Sequence, residues 1–285
     1  MNRRFEPVQV PALSEQDGRA FARLVEAMRA LLAPDGCPWD REQTYLTLRR
    51  YVLEEACEVI DAIDKNDRQA LREELGDLLL QVVFQAELAR AEGLFGPDDV
   101  VEGICNKLVR RHPHVFGDMQ ASDADEVHRN WERIKAEEKK RSGVLDGIPL
   151  SLPALVRAQR VGEKVHRVGF DWPDAAGSRA KVDEEIGELD RAIASNDPQS
   201  REEEFGDVLF ALVNLARHIG VDAEAALRAT TNKFVRRFGH VEQRAKDDHG
   251  ALIGADGSRL PLEVLDRYWE EAKTQERGQG NPGSQ

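Results

Sequence analysis

Apolar positions recur along the chain at spacings of three and four, the period of helices with one buried face. Phe21, Leu24, Val25, Met28 and Leu31 set the first stripe, on a helix predicted from a Ser14 cap to about Leu32. A loop marked by Pro34, Gly36 and Pro38 follows, with Trp39 as its anchor. Two helical stretches come next, separated by Asp64-Lys65-Asn66-Asp67, a turn by composition. In the second stretch, Leu71, Leu75, Leu78, Leu79 and Val82 share one apolar face, while Leu80 and Phe84 lie on the other side, flanking Asp77. A helix apolar nearly all round is expected to be buried, and a partner subunit is the expected cover for the Leu80 and Phe84 flank. Gly76 inside that helix costs about 1 kcal/mol relative to Ala, which points to close backbone approach. Beyond a break at 93–99, a helix carries Ile104 and Leu108 up to Pro113, and a charged helix is expected from Ser122 to about Arg141.

The pattern then repeats. Glu55, Glu58, Glu74 and Asp77 return as Glu185, Glu188, Glu204 and Asp207, each shifted by 130 residues. One offset held over four positions marks a duplication rather than scattered acidic patches. Gly206 repeats Gly76. The run from Asn106 to His112 is echoed by Asn232 to Phe238, and Trp131 with Lys135 by Trp269 with Lys273. No segment alternates as a strand does. The expected fold is all-α: a tandem repeat of two helical-bundle domains of four-helix type that dimerise. The boundaries read as an extension at 1–18, a first domain at 19–141, a linker at 142–153, a second domain at 154–276 and a disordered tail at 277–285.

Glu55 and Glu58, like Glu74 and Asp77, lie three apart and so share a helix face. A hairpin sets four such carboxylates facing one another. Like charges brought together repel, and burying them is costly unless something neutralises them. A hard divalent cation does this: Mg²⁺ prefers oxygen ligands, and Mn²⁺ is a plausible substitute. Lys107, Arg110 and Arg111 project together at i, i+3 and i+4, followed by Trp131 and Lys135; Lys233, Arg236, Arg237, Trp269 and Lys273 repeat them. Carboxylates that hold Mg²⁺ and cations that hold phosphates make a polyphosphate clamp, and phosphoryl chemistry needs little beyond positioning and charge neutralisation. The bland alternative for the basic residues is a solvated face. No Gly-rich loop ending in Lys-Ser or Lys-Thr exists, which excludes a P-loop enzyme. His112 and His114 lie among oxygen ligands with no Cys beside them, which argues against a transition-metal site.

Composition narrows the class. A net charge of −13 over 285 residues disfavours a nucleic-acid polymer as partner. Cys37, Cys57 and Cys105 form no CxxC and cannot all pair, which fits a reducing, cytoplasmic setting. The N-terminus lacks a signal peptide's apolar core, and the run from Leu78 to Phe84 is far too short to cross a bilayer.

The duplicated carboxylates, the loop Gly36-Cys37-Pro38-Trp39-Asp40, the run Arg110-Arg111-His112-Pro113-His114-Val115-Phe116 and the run Val168-Gly169-Phe170-Asp171-Trp172 resemble the MazG family of nucleoside triphosphate pyrophosphohydrolases. The likeness covers about residues 20–276. It implies an all-α, Mg²⁺-dependent homodimer that hydrolyses nucleoside triphosphates to monophosphate and pyrophosphate, in nucleotide-pool cleaning or stress response. By position it implies Glu185, Glu188, Glu204 and Asp207 as metal ligands, with Lys181 one turn before Glu185 on the same face. It implies nucleotide contacts from Lys233, Arg237, Trp269 and Lys273, and the C-terminal half as the main catalyst. Tyr51 stands in the first half where Lys181 stands in the second, which sets the two halves apart. The competing classes are a regulatory protein that binds nucleotide with little turnover and a helical scaffold. Pyrophosphate release with and without Mg²⁺ separates all three.

Overall fold

In the computed structural model the described residues are 17–117, 119, 123, 126–127, 130–131, 133–134, 143–254 and 257–278. The expected caps Ser14 and Ser122, and Lys135 with them, lie outside these. The chain divides into two compact units, Met1–Lys140 and Arg141–Gln285. Both are helical, and an isolated bridge between Ile253 and Arg259 is the β pairing among the described residues.

The first unit contains α1 (Asp17–Leu32), α2 (Pro38–Arg41), α3 (Tyr45–Asp64), α4 (Arg68–Ala91), α5 (Pro97–Arg111) and α6 (Pro113–Phe116). Thr44 opens α3 through a capping box with Thr47. Asn66 turns the chain in the left-handed region at φ 53°, and Asp67 then caps α4 by accepting from the backbone of Gln69 and Ala70. Helices α3 and α4 therefore pack as a hairpin, and α1 and α5 pack on α4. The core joins Val25 and Met28 of α1 to Leu48 of α3 and to Val83 and Phe84 of α4.

That core corrects the expected orientation of α4. Leu80 packs against the core and Phe84 is buried within it, because the α1 stripe needs an apolar surface and docks on this flank. The opposite flank, Leu75, Leu79 and Val82, is the exposed one. Gly76 and Gly206 differ from expectation as well: among the described residues a Cβ added at either meets nothing within 4 Å, so no close backbone approach there explains them. Both lie on the open side of their hairpins.

The second unit contains α7 (Ala154–His166), α8 (Ala175–Ser195), α9 (Pro198–His218), α10 (Ala223–His249) and α11 (Leu262–Gly278). The duplication is visible in detail. Asn196, at φ 58°, repeats the left-handed turn of Asn66, and Asp197 caps α9 as Asp67 caps α4. Helices α8 and α9 form the hairpin, α7 packs on α9 and α10, and α10 pairs with α11 around Val241, Ala245 and Tyr268. The exposed flank repeats too, as Phe205, Leu209 and Leu212.

One buried charge is inverted between the copies. Glu87 is fully buried, with Arg29 of α1 at 3.2 Å and Arg90 at 2.6 Å. The position 130 residues on is Arg217, paired with Asp171 at 2.6 Å. Each pair ties its α4 or α9 to the preceding segment, and neither charge is left unmatched in the interior.

Candidate active site

Helix α8 starts at Asp174, whose carboxylate accepts from the backbone of Ala176 at 2.8 Å. Gly177 in its first turn lets Trp172 lie against the helix; a Cβ there would stand 2.3 Å from the indole Cδ1. Lys181, Glu185 and Glu188 then follow at intervals of four and three, on one face. Across the hairpin, α9 presents Glu204, Asp207, Ala211 and Asn214 at the same kind of spacing. A pocket of about 470 Å³ opens between these helices, α7 and the loop before α8. Val165, Phe170, Trp172, Phe210 and Ala211 form its apolar wall, Lys181, Glu185 and Asp207 its charged end, and Asp171 and Asn214 its polar positions.

At the charged end, carboxylate oxygens of Glu185, Glu188 and Glu204 lie within 4.8 Å of one another. Asp207 falls outside that group, yet its charge is felt: burial first, then Glu188, Asp207 and Glu185, pushes the Glu204 carboxyl up. Lys181 offsets part of the repulsion, with Nζ 2.8 Å from Glu185 and 2.9 Å from Glu184, and its hydrogen bonds to these two hold its ammonium well above the usual range. Glu188 is paired with Arg191 at 3.0 Å.

The first unit repeats the cluster. Oxygens of Glu55, Glu58 and Glu74 lie within 4.8 Å of one another. Burial and then Asp77 and Glu58 push Glu55 up; burial and then Glu58 and Asp77 do the same to Glu74. The surroundings differ. Tyr51 stands in place of Lys181 and packs against the α1 core, with its hydroxyl bonded to Arg50. Phe84 stands in place of Asn214 and is buried. Uncharged aromatic side chains thus occupy positions that carry a cation and an amide in the second unit.

The basic residues singled out in the sequence lie elsewhere. Arg237 of α10 pairs with Glu276 of α11 at 2.7 Å and lies 5.7 Å from the centre of the Trp269 ring. Arg236 approaches the same carboxylate at 3.8 Å, Lys273 pairs with Glu270 at 2.6 Å, and Lys233 is exposed. None of these five lines the pocket of the second unit. In the first unit Lys107 and Arg110 are exposed, whereas Arg111 is buried with its guanidinium 5.1 Å from the Trp131 ring centre, so the three cations do not share one surface. His112 Nδ1 donates to the Leu108 carbonyl at 2.7 Å.

The sequence reading missed the rear of the pocket. Asp171 receives Arg217 at 2.6 Å, His166 at 2.7 Å and His218 at 3.0 Å. Burial alone would push this carboxyl up; hydrogen bonds from Arg217, His218 and His166 outweigh it and hold it at about 2. The available signal was the break in the repeat, where Glu87-Leu88 becomes Arg217-His218 and Phe84 becomes Asn214.

The architecture defines an all-α protein built as a duplicated helical hairpin, each copy holding a carboxylate cluster. The MazG nucleotide pyrophosphohydrolase domain matches it twice, at residues 43–116 and 177–242. The chain belongs to the MazG family. It is 46% identical over 261 residues to the nucleoside triphosphate pyrophosphohydrolase/pyrophosphatase MazG of Thermotoga maritima, spanning 91% of this chain and 98% of that protein. It is 47% identical over 260 residues to the nucleoside triphosphate pyrophosphohydrolase of Escherichia coli K12, spanning 89% and 97%.

Proposed function

We propose that the chain is a nucleoside triphosphate pyrophosphohydrolase, dependent on Mg²⁺ or Mn²⁺, that converts NTPs and dNTPs to monophosphates and pyrophosphate. The observation that carries this reading is the pocket of about 470 Å³ in the second unit, where an aromatic wall and a carboxylate cluster with a lysine meet. That volume suits a nucleoside. Phe170, Trp172 and Phe210 offer ring surface to a base, and Lys181 offers charge to a phosphate.

The donor set fits a hard divalent cation. Glu185, Glu188 and Glu204 bring only carboxylate oxygens, and their mutual repulsion is what such a cation relieves. They would hold it, with Asp207 beside them, and when bound it neutralises phosphate charge and lowers the proton affinity of water. Lys181 stabilises charge that builds on the phosphates. A cluster carboxylate accepts a proton from the attacking water. The water oxygen becomes part of one product, the anhydride bond between the α- and β-phosphates breaks, and monophosphate and pyrophosphate leave.

Turnover is assigned to the second unit. Tyr51 and Phe84 take the places of Lys181 and Asn214 in the first, which leaves a carboxylate cluster that binds cation and nucleotide with little hydrolysis. The exposed flanks Leu75, Leu79, Val82 and Phe205, Leu209, Leu212 supply the apolar surface of a homodimer. Phosphorus NMR of the first products tests the chemistry. Monophosphate and pyrophosphate are expected, only with Mg²⁺ or Mn²⁺ present; diphosphate and orthophosphate, or full turnover in EDTA, overturn the proposal.

A further inference from the structure

The rear of the pocket fixes the orientation of one side chain. Asn214 Oδ1 accepts from Arg217 Nε at 3.0 Å and from an Arg217 terminal nitrogen at 2.6 Å. A guanidinium only donates, so the amide must turn its oxygen to Arg217. The amide nitrogen is then the polar atom left to the pocket, and it has no partner among the described residues. Arg217 cannot drift and release it. The same terminal nitrogen donates to Asp171 Oδ2 at 2.6 Å, and Asp171 Oδ1 is held by His218 at 3.0 Å and by the Trp172 backbone at 2.9 Å. Gly162 of α7 closes the arrangement from behind, where a Cβ would stand 3.1 Å from Arg217 Nε and 3.5 Å from Asn214 Oδ1.

We propose that Asn214 is a specificity residue: a donor locked by the Asp171–Arg217 clamp, which reads a hydrogen-bond acceptor, a carbonyl oxygen or ring nitrogen, on the edge of the nucleobase. This rests on the hydrolase reading with the base in the pocket. The apolar wall of Val165, Phe170, Trp172 and Phe210 accepts any flat ring of the right size. Asn214 is half-buried in the pocket, and a bound ring would cover its donor; a donor covered without a partner is costly, so the site rejects a ring that matches in shape but lacks the acceptor. The first unit has Phe84 at the equivalent position and cannot make the distinction.

Apolar base isosteres test this on the full chain. The ratio of kcat/KM is measured for dTTP against the difluorotoluene deoxynucleoside triphosphate, and for dATP against the 4-methylindole one, which has no ring-nitrogen acceptor. The native chain is expected to prefer the natural nucleotide by about tenfold or more. In Asn214→Leu the preference is expected to fall to within about twofold of unity, whatever the absolute rate. Asn214→Asp keeps the acceptor that Arg217 needs and removes the donor, so it is expected to lose the preference in the same way and carries the test if the leucine variant fails to fold. A native chain that does not discriminate, or an aspartate variant that discriminates like the native chain, overturns the proposal while leaving the hydrolase reading intact. Absence of pyrophosphate release from every triphosphate in the native chain overturns the hydrolase reading, and this one with it.

Discussion

Replacing Asp171 by Asn removes the charge at the rear of the pocket while keeping its shape. The side chain is only 7% exposed, so the effect is not screened away by solvent. A carboxyl lowered from 3.8 to about 2 by folding contributes roughly 2 kcal/mol of stability at neutral pH. Because the folded value is the lower one, that contribution is complete above the unfolded value of 3.8 and is lost as pH falls towards about 2. Asp171→Asn is therefore expected to cost roughly 2 kcal/mol at pH 7.5, and about half of that at pH 3. The corresponding drop in Tm is roughly 4–8 °C. Urea unfolding of both chains at the two pH values, followed by intrinsic fluorescence, reads the difference. A cost below about 0.5 kcal/mol at pH 7.5, or one that is as large at pH 3, would refute the claim that Arg217, His166 and His218 stabilise this buried charge.

Other outcomes follow from the same geometry. Mg²⁺ or Mn²⁺ is expected to raise Tm, and by more at pH 7.5 than at pH 5, because Glu55, Glu74 and Glu204 hold protons more tightly than free carboxylates and protons compete with the cation; an increase independent of pH in thermal scans contradicts this. Gly177→Ala forces a Cβ to within 2.3 Å of the Trp172 indole, so the ring must leave its place in the wall. Nucleotide KM is expected to rise at least several-fold in steady-state assays, and an unchanged KM sinks the role given to Trp172. Light scattering at micromolar concentration is expected to report twice the 32.0 kDa chain mass, and Phe205→Glu to shift it towards the single chain; a native monomer contradicts the dimer.

The duplication was legible because helical period and side-chain type carry it. Glu55, Glu58 and Glu74 meet in space for the reason their spacing gives, and Asn66-Asp67 turns the hairpin by its own local chemistry. What stayed hidden depends on partners far apart in the chain. The phase of α4 was misread because a helix apolar on two sides does not say which side α1 will cover; Phe84 and Leu80 won that contact, leaving Leu75, Leu79 and Val82 exposed. The rear of the pocket joins Asp171 to Arg217 and His218 across more than forty residues, and no local pattern announces it. The cations Arg237 and Lys273 were readable as a cluster, but their pairing with Glu276 and Glu270 was not.

The central claim is that the carboxylates of the second unit carry the hydrolysis. Initial rates of pyrophosphate release at saturating Mg²⁺, compared for Glu188→Ala with Glu204→Ala and for Glu58→Ala with Glu74→Ala, test it most directly. The second-unit pair is expected to lose on the order of a hundredfold or more, as removal of groups that stabilise transition-state charge does. The first-unit pair is expected to keep most of the native rate while losing affinity for nucleotide in calorimetry. A first-unit pair that abolishes turnover while the second-unit pair retains it would contradict the account.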